Sequence, residues 1–201
     1  MRLPNAAHTS QPWRIHEFVP DFRLEDVWGL QAPAGADCFA QAIELIASSD
    51  PAKSSSRAVW MLFALRRKLG ELMGWDQPES GVGGRVPTLR DRLPADLLAT
   101  PGPRFGALPF TSLYLLDNEF AAEAANETMH GVMHIGLVGQ EAVGYRAQMA
   151  VLVKPNGLLG DAYIAAIRPL RHLIVYPPLL SEMERSWRAR AWSRSRAGSL
   201  P

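Results

Sequence analysis

A single cysteine in 201 residues, Cys38, excludes an intrachain disulfide and any zinc site that needs several thiolates. That scarcity agrees with a reducing cytoplasm. With no base beside it in "GADCFAQ", Cys38 reads as a small structural hydrophobe. No apolar run approaches 18 residues, so no membrane span is expected. The first residues, "MRLPNAAHTSQPW", lack the apolar stretch of a signal peptide. Neither sign of charge dominates: 21 Lys and Arg face 20 Asp and Glu, for a net charge of +1. The chain as a whole therefore does not carry the basic footprint of a nucleic-acid binder. No G-x-G-x-x-G follows a strand-like run, and "VGGR" (82–85) lacks the Gly-Lys-Ser/Thr ending of a phosphate loop. No cofactor is expected.

What is present is ordinary globular material, 47% hydrophobic and 20% charged. Residues 1–190 are expected to form one domain and 191–201 a basic, flexible tail. Six Trp and seven Met suit a core or a greasy pocket equally well.

Along the chain, "WRIHEFV" (13–19) is aromatic and β-branched and predicts a first strand. "DFRLEDVWGL" (21–30), opened by Asp21 and closed near Gly29, predicts a short helix. In "ADCFAQAIELIASS" (36–49), Phe39, Ala42, Ile43 and Ile46 fall at helical spacing, with Asp37 as a cap. Residues 54–75 carry the clearest helical stripe: Ala58, Met61, Leu62, Leu65, Leu69 and Leu72. Their basic triplet Arg66-Arg67-Lys68 suits a solvated face near the helix C-terminus. Residues 76–109 are rich in Gly and Pro and predict a long loop, uncommon without a role such as a lid.

From residue 110 the period shortens. "FTSLYLL", "EFAAEAA", "TMHGVMHIGLV" and "YRAQMAVLV" are separated by turn material and predict an antiparallel meander. Residues 156–190 then predict a long C-terminal helix opened by Asn156. Its stripe is Leu159, Tyr163, Ala166, Ile167, Leu170, Leu173 and Ile174, with breaks at Pro169 and Pro177-Pro178.

His130 and His134 stand four apart. On a helix they could grip one metal ion. On a strand they share a face roughly 13 Å apart, too far to do so. Two glycines and the β-branched content of "TMHGVMHIGLV" favour the strand, so no metal site is expected. Alternation then sends Met129, Met133, Ile135 and Leu137 one way and Thr128, His130, Val132 and His134 the other. The apolar set should meet the core. The histidines should point to the outer face of the sheet, or line a polar part of a cavity. The neighbouring run repeats the pattern, with Tyr145, Ala147, Met149, Val151 and Val153 on one face. Asn126-Glu127-Thr128 matches a glycan acceptor and reads as chance.

"VPTLRDRLPADL" (86–97), "TMHGVMHIGLV" (128–138) and "VLVKPNGLLGDAYIAAIRPLRHLIVYPPLL" (151–180) resemble a bacterial family of unknown function. That family is placed in the START and polyketide-cyclase-like (SRPBCC) superfamily, and also occurs fused to short-chain-dehydrogenase or epimerase-like domains. The resemblance covers roughly residues 10–190 and transfers no catalytic motif. It implies a helix-grip fold of the α+β class: a curved antiparallel sheet around a long C-terminal helix, with short helices after the first strand. It also implies a cavity that takes hydrophobic molecules.

The expected function is binding of a hydrophobic small molecule. The lining candidates are Met133, Ile135, Leu137, Tyr145, Met149 and Val151 on the sheet and Tyr163, Ile167, His172 and Ile174 on the helix. Tyr163, Arg168, His172 or Tyr176 would supply polar contacts. A cyclase, hydratase or isomerase using that cavity is the alternative, with His172, His134 and Glu123 as candidate acids or bases. An interaction protein with no small ligand, presenting Arg90-Asp91-Arg92 and the basic tail, is the third reading.

Overall fold

The structure, a computed structural model, describes residues 1–31, 38–50, 81–84, 86–140, 144–170, 172, 176–177, 180–181 and 183–185. The helix expected over 54–75, with its basic triplet, and the tail over 191–201 lie outside the described residues.

The fold is α+β. Six strands form one open antiparallel sheet: β1 (Arg2–Leu3), β2 (Arg23–Gln31), β3 (Thr111–Leu115), β4 (Glu119–Ala125), β5 (Met129–Gln140) and β6 (Gly144–Pro155). Their spatial order is β1-β2-β6-β5-β4-β3. The meander β3 to β6 follows the chain, as its turn signals require, and β2 closes onto its last strand. The described helices are α1 (Ala6–Thr9), α2 (Phe39–Ala47), α3 (Ala95–Leu98) and α4 (Gly157–Leu170).

The alternation read from β5 and β6 holds, but both faces of the sheet are covered. On the front face, Val132, Ala150 and Leu152 pack under Trp13, Ile15, Phe18, Val19 and Phe22 of the N-terminal segment and under Leu89, Leu93 and Leu97. On the back face, Ile135, Leu137, Ala147 and Met149 pack under Phe39, Ile43 and Ile46 of α2 and under Tyr176 and Leu180. A helix with its apolar residues at positions 39, 43 and 46 can bury only one stripe, and α2 lays that stripe on the sheet.

Two early elements differ from expectation. Residues 13–19 are not a strand; Arg14–Glu17 make one 3-10 turn. Their large side chains pack onto the sheet rather than joining it, and the N–H groups of Arg14 and Ile15 bind a carboxylate instead of a ladder partner. Residues 21–30 are not a helix; they supply most of β2. The register slips between Leu24 and Asp26, so a β-bulge at Glu25 interrupts the alternation that would have marked a strand.

Of the C-terminal helix expected over 156–190, α4 is described from Gly157 to Leu170, with Pro169 inside it. Helical backbone is described again at Tyr176–Pro177, Leu180–Ser181 and Met183–Arg185. Among its residues with described side chains, Gly160 and Ile164 are buried, and Ala166, expected in the stripe, is exposed. A Cβ on Gly160 would sit 2.2 Å from the Thr128 carbonyl oxygen, so only glycine lets α4 seat against the β4–β5 turn. Gly136 has the same character: a Cβ there would lie 2.6 Å from the Trp13 ring, which lies across β5.

Arg90 and Arg92 pin the segment 86–97. Arg92 forks onto Asp21 at 2.7 and 3.2 Å and donates to the Phe18 carbonyl, while Arg90 donates to the carbonyls of Ser112 and Leu113. Asn126 is buried, and its side-chain oxygen accepts from the N–H groups of Thr128 and Met129 and from the Thr128 hydroxyl. Its amide is thus built into the turn that Asn156 braces from β6, which leaves it a poor glycan acceptor.

Candidate functional site

The spacing of the two histidines is matched on the neighbouring strand. Glu119 and Glu123 also stand four apart, on β4, and register places Glu119 opposite Gly136 and Glu123 opposite Val132. Each glutamate is therefore diagonal to one histidine on the same face, within reach of a long side chain. His134 Nε2 lies 3.1 Å from Glu119, and His130 Nε2 lies 2.8 Å from Glu123. All four side chains are buried: the histidines lie on the face opposite Met133 and Ile135, as alternation requires, but that face is covered rather than outer. The reason is the N-terminal segment and residues 86–97, which cover that face.

Each pair also holds down one covering segment. Glu119 accepts from the N–H groups of Arg14 and Ile15, both at 2.9 Å, at the start of the 3-10 turn Arg14–Glu17. Glu123 accepts from the Leu89 N–H at 3.0 Å and from the Thr88 hydroxyl, at the start of the 3-10 turn Leu89–Arg92. Turn N-termini expose unpaired N–H groups and favour an anion. A carboxylate on the sheet supplies one to each turn from outside.

The Glu119 cluster continues inward. Tyr114 donates its hydroxyl to Glu119, and His8 Nε2 lies 3.0 Å from His134 Nδ1. His16 stacks edge-on to His8, with ring centres 4.9 Å apart. Burial opposes the charge on Glu119, but the His134 hydrogen bond, Tyr114 and the Arg14 N–H outweigh it and hold its carboxyl at about 2. Burial, aided by His134 and His16, drives His8 down to about 3. Burial likewise holds His134 below its ordinary value although Glu119 pulls the other way. Burial and the Glu119 charge push the Tyr114 hydroxyl up.

One proton arrangement satisfies these contacts. Glu119 is ionised and both imidazoles are neutral. His134 donates from Nε2 to Glu119 and accepts at Nδ1 from His8 Nε2. Glu123 is also held below its ordinary value: burial opposes its ionisation, but His130, Thr88 and the Leu89 N–H prevail. As candidate acid–base groups, His134 and Glu123 are thus already committed to closing the front face.

The back face carries a different polar pair. The bulge at Glu25 turns two consecutive carboxylates toward α4 and the residues after it. Glu25 meets Arg168 at 2.8 Å and also Arg23. Burial resists its charge, yet those two guanidinium hydrogen bonds hold its carboxyl below the usual range. Asp26, fully buried, accepts a hydrogen bond from His172 Nε2. The His172 side chain is 17% exposed, and its Nδ1 makes no hydrogen bond among the described residues. Trp28 lies edge-on to His172, with ring centres 6.2 Å apart, and Tyr176 stands 5.2 Å from Trp28. Sequence reading marked His172 but missed Asp26. Its signal was an acidic pair inside an otherwise apolar run, "LEDVWGL", taken for a helix.

The lining candidates fall as follows. Ile135, Leu137 and Met149 are buried in the back-face cluster, and Met133 and Val151 pack against it only partly buried. Tyr163 and Ile167 are half-buried on α4. Tyr145 lies on β6, opposite Gly139. Ile174 lies outside the described residues. Among the described residues no group of three or more His, Cys, Asp or Glu could hold a metal ion, and no helix is long and apolar enough to cross a membrane.

No curated protein and no solved structure matches the chain. A family model does, over residues 18–178, a span that takes in β2 to β6, both His–Glu pairs and the Asp26–His172 pair. The chain belongs to the family described as "Protein of unknown function (DUF2867)".

Proposed function

We propose that this chain binds an apolar small molecule on the back face of its sheet, between β5–β6 and α4 with the residues that follow it, in the manner of a helix-grip domain. The observation that carries the reading is partly accessible apolar surface in the middle of the back face. The N-terminal segment and residues 86–97 cover the front face, where Leu24, Leu116 and Val138 are partly buried. On the back face Met133 and Val151, direct partners in the ladder, stay partly accessible beside the fully buried Ile135 and Met149. Phe105, Phe110 and Leu115 continue that partly buried apolar surface. A guest covering it gains roughly 25 cal/mol per Å² before association costs. The Asp26–His172 pair borders the same surface and would orient a polar end.

The test is fluorescence of anilinonaphthalene sulfonate with the folded protein. Binding with micromolar affinity is expected, and Val151→Glu, which puts a charge on the accessible strip, should weaken it at least tenfold without loss of the near-UV circular dichroism. Equal binding by both proteins, or none by either, would remove this reading.

A second reading, an enzyme of the cyclase, hydratase or isomerase type, is favoured by one observation: a histidine on this face is held by a buried carboxylate.

A further inference from the structure

We propose that His172 is a catalytic base and Asp26 its positioning residue, and that together they move a proton on an enolisable carbonyl compound bound at the back face. The inference rests on the binding reading above and deepens it.

Three features of the pair support it. First, Asp26 is fully buried on the strand side, whereas His172 is part-exposed beyond α4. The fixed member lies in the wall, and the member that would meet a ligand lies at the surface. Second, the hydrogen bond to Asp26 is made by Nε2. A carboxylate partner places the proton on Nε2 and leaves Nδ1 as the basic lone pair. Third, among the described residues the Trp28 and Tyr176 rings flank His172, with Met149 opposite Trp28 in the ladder, and the nearest further charge is Arg2, 3.9 Å from Asp26 Oδ1, so an apolar carbon skeleton fits beside the base. The other two buried carboxylate–histidine pairs lie on the opposite face, where each holds a turn in place.

An imidazole oriented in this way can do general acid–base work without further groups. In an apolar carbonyl compound the acidic proton is on the carbon next to C=O. Nδ1 takes that proton: the C–H bond breaks, an N–H bond forms, and the electron pair moves into the carbonyl to give an enolate. The same imidazolium then returns its proton to that carbon or to a conjugated one further along. The second outcome shifts a double bond. Nothing is oxidised or reduced, and no co-reactant is consumed.

The experiment follows deuterium uptake next to the carbonyl of medium-chain 2-alkanones and alkyl aryl ketones in D₂O by proton NMR. Wild type is compared with His172→Gln and Asp26→Asn. Anilinonaphthalene sulfonate affinity is measured on all three. Wild type should exchange the proton faster than an equal concentration of free imidazole. His172→Gln should lose at least tenfold of that rate, and Asp26→Asn should lose about tenfold, both with the near-UV circular dichroism of wild type and with the probe still bound. In ¹⁵N spectra the His172 ring should be protonated at Nε2 in wild type and mixed between its nitrogens in Asp26→Asn. Probe binding without exchange, or equal exchange by His172→Gln, would overturn the acid–base assignment and leave the binding reading standing. Failure of both probe and ketones to bind would overturn both.

Discussion

Glu119→Ala lowers folding stability by about 4 kcal/mol, read as a fall in the urea midpoint and a drop in melting temperature of roughly 8–16 °C. The size follows from what is left behind. Two backbone N–H groups, the Tyr114 hydroxyl and His134 Nε2 all point at this one carboxylate. Each buried donor deprived of its acceptor costs about 1–3 kcal/mol, and local relaxation recovers part of the sum. Because Arg14 and Ile15 lose their anchor, the damage should concentrate in the N-terminal segment. Hydrogen exchange should show faster exchange for residues 8–19 than for β5 and β6. A domain with a total of about 5–15 kcal/mol to lose would be left marginal. A change under 1 kcal/mol would mean that the cluster is not what closes the front face.

The second large effect is with pH. His8 titrates at about 3 in the folded chain against an ordinary 6.5, and His134 is shifted in the same direction. Below 6.5 the unfolded chain takes up protons that the folded chain refuses, so stability falls as pH falls, until the folded groups titrate as well. His8 alone accounts for roughly 5 kcal/mol between pH 6.5 and 3. Glu119 adds to the loss below its unfolded value, because its stabilising charge disappears as pH falls toward 2. Urea midpoints measured between pH 7 and 4 should therefore fall, with His8 alone contributing up to one proton, about 1.4 kcal/mol per pH unit, below its unfolded value and His134 steepening the fall. His8→Gln, which keeps a donor for His134 but cannot charge, should remove His8's share of that slope. A flat profile above pH 5 would contradict the neutral, buried assignment of these imidazoles.

Much of the sheet could be read in advance. The runs from 110 to 155 alternate cleanly and are split by short turns, and every one became a strand, including the alanine-rich β4, whose composition favours helix. Tertiary pairing overrode propensity there. Two things stayed hidden. The bulge at Glu25 broke the alternation of β2, so its carboxylates were not recognised as facing α4. The N-terminal segment looked like a strand because packing onto a sheet and joining one select the same side chains; only the destination of the N–H groups separates them.

The histidine positions show the same limit. Alternation correctly put His130 and His134 opposite Met133 and Ile135. It could not say that the polar face was covered, because the glutamates that make burial tolerable lie on another strand and the cover comes from segments far away in the chain. The back-face pair was half legible: His172 was marked, but its partner lies 146 residues earlier.

A guest held on the back face of the sheet should leave the cell with the protein. Native mass spectrometry of the protein purified from its own host tests it most directly. A population heavier than the bare chain by the mass of one small hydrophobic molecule, released on unfolding, is expected. A bare chain in every preparation, together with no thermal stabilisation across a panel of hydrophobic compounds, would contradict it.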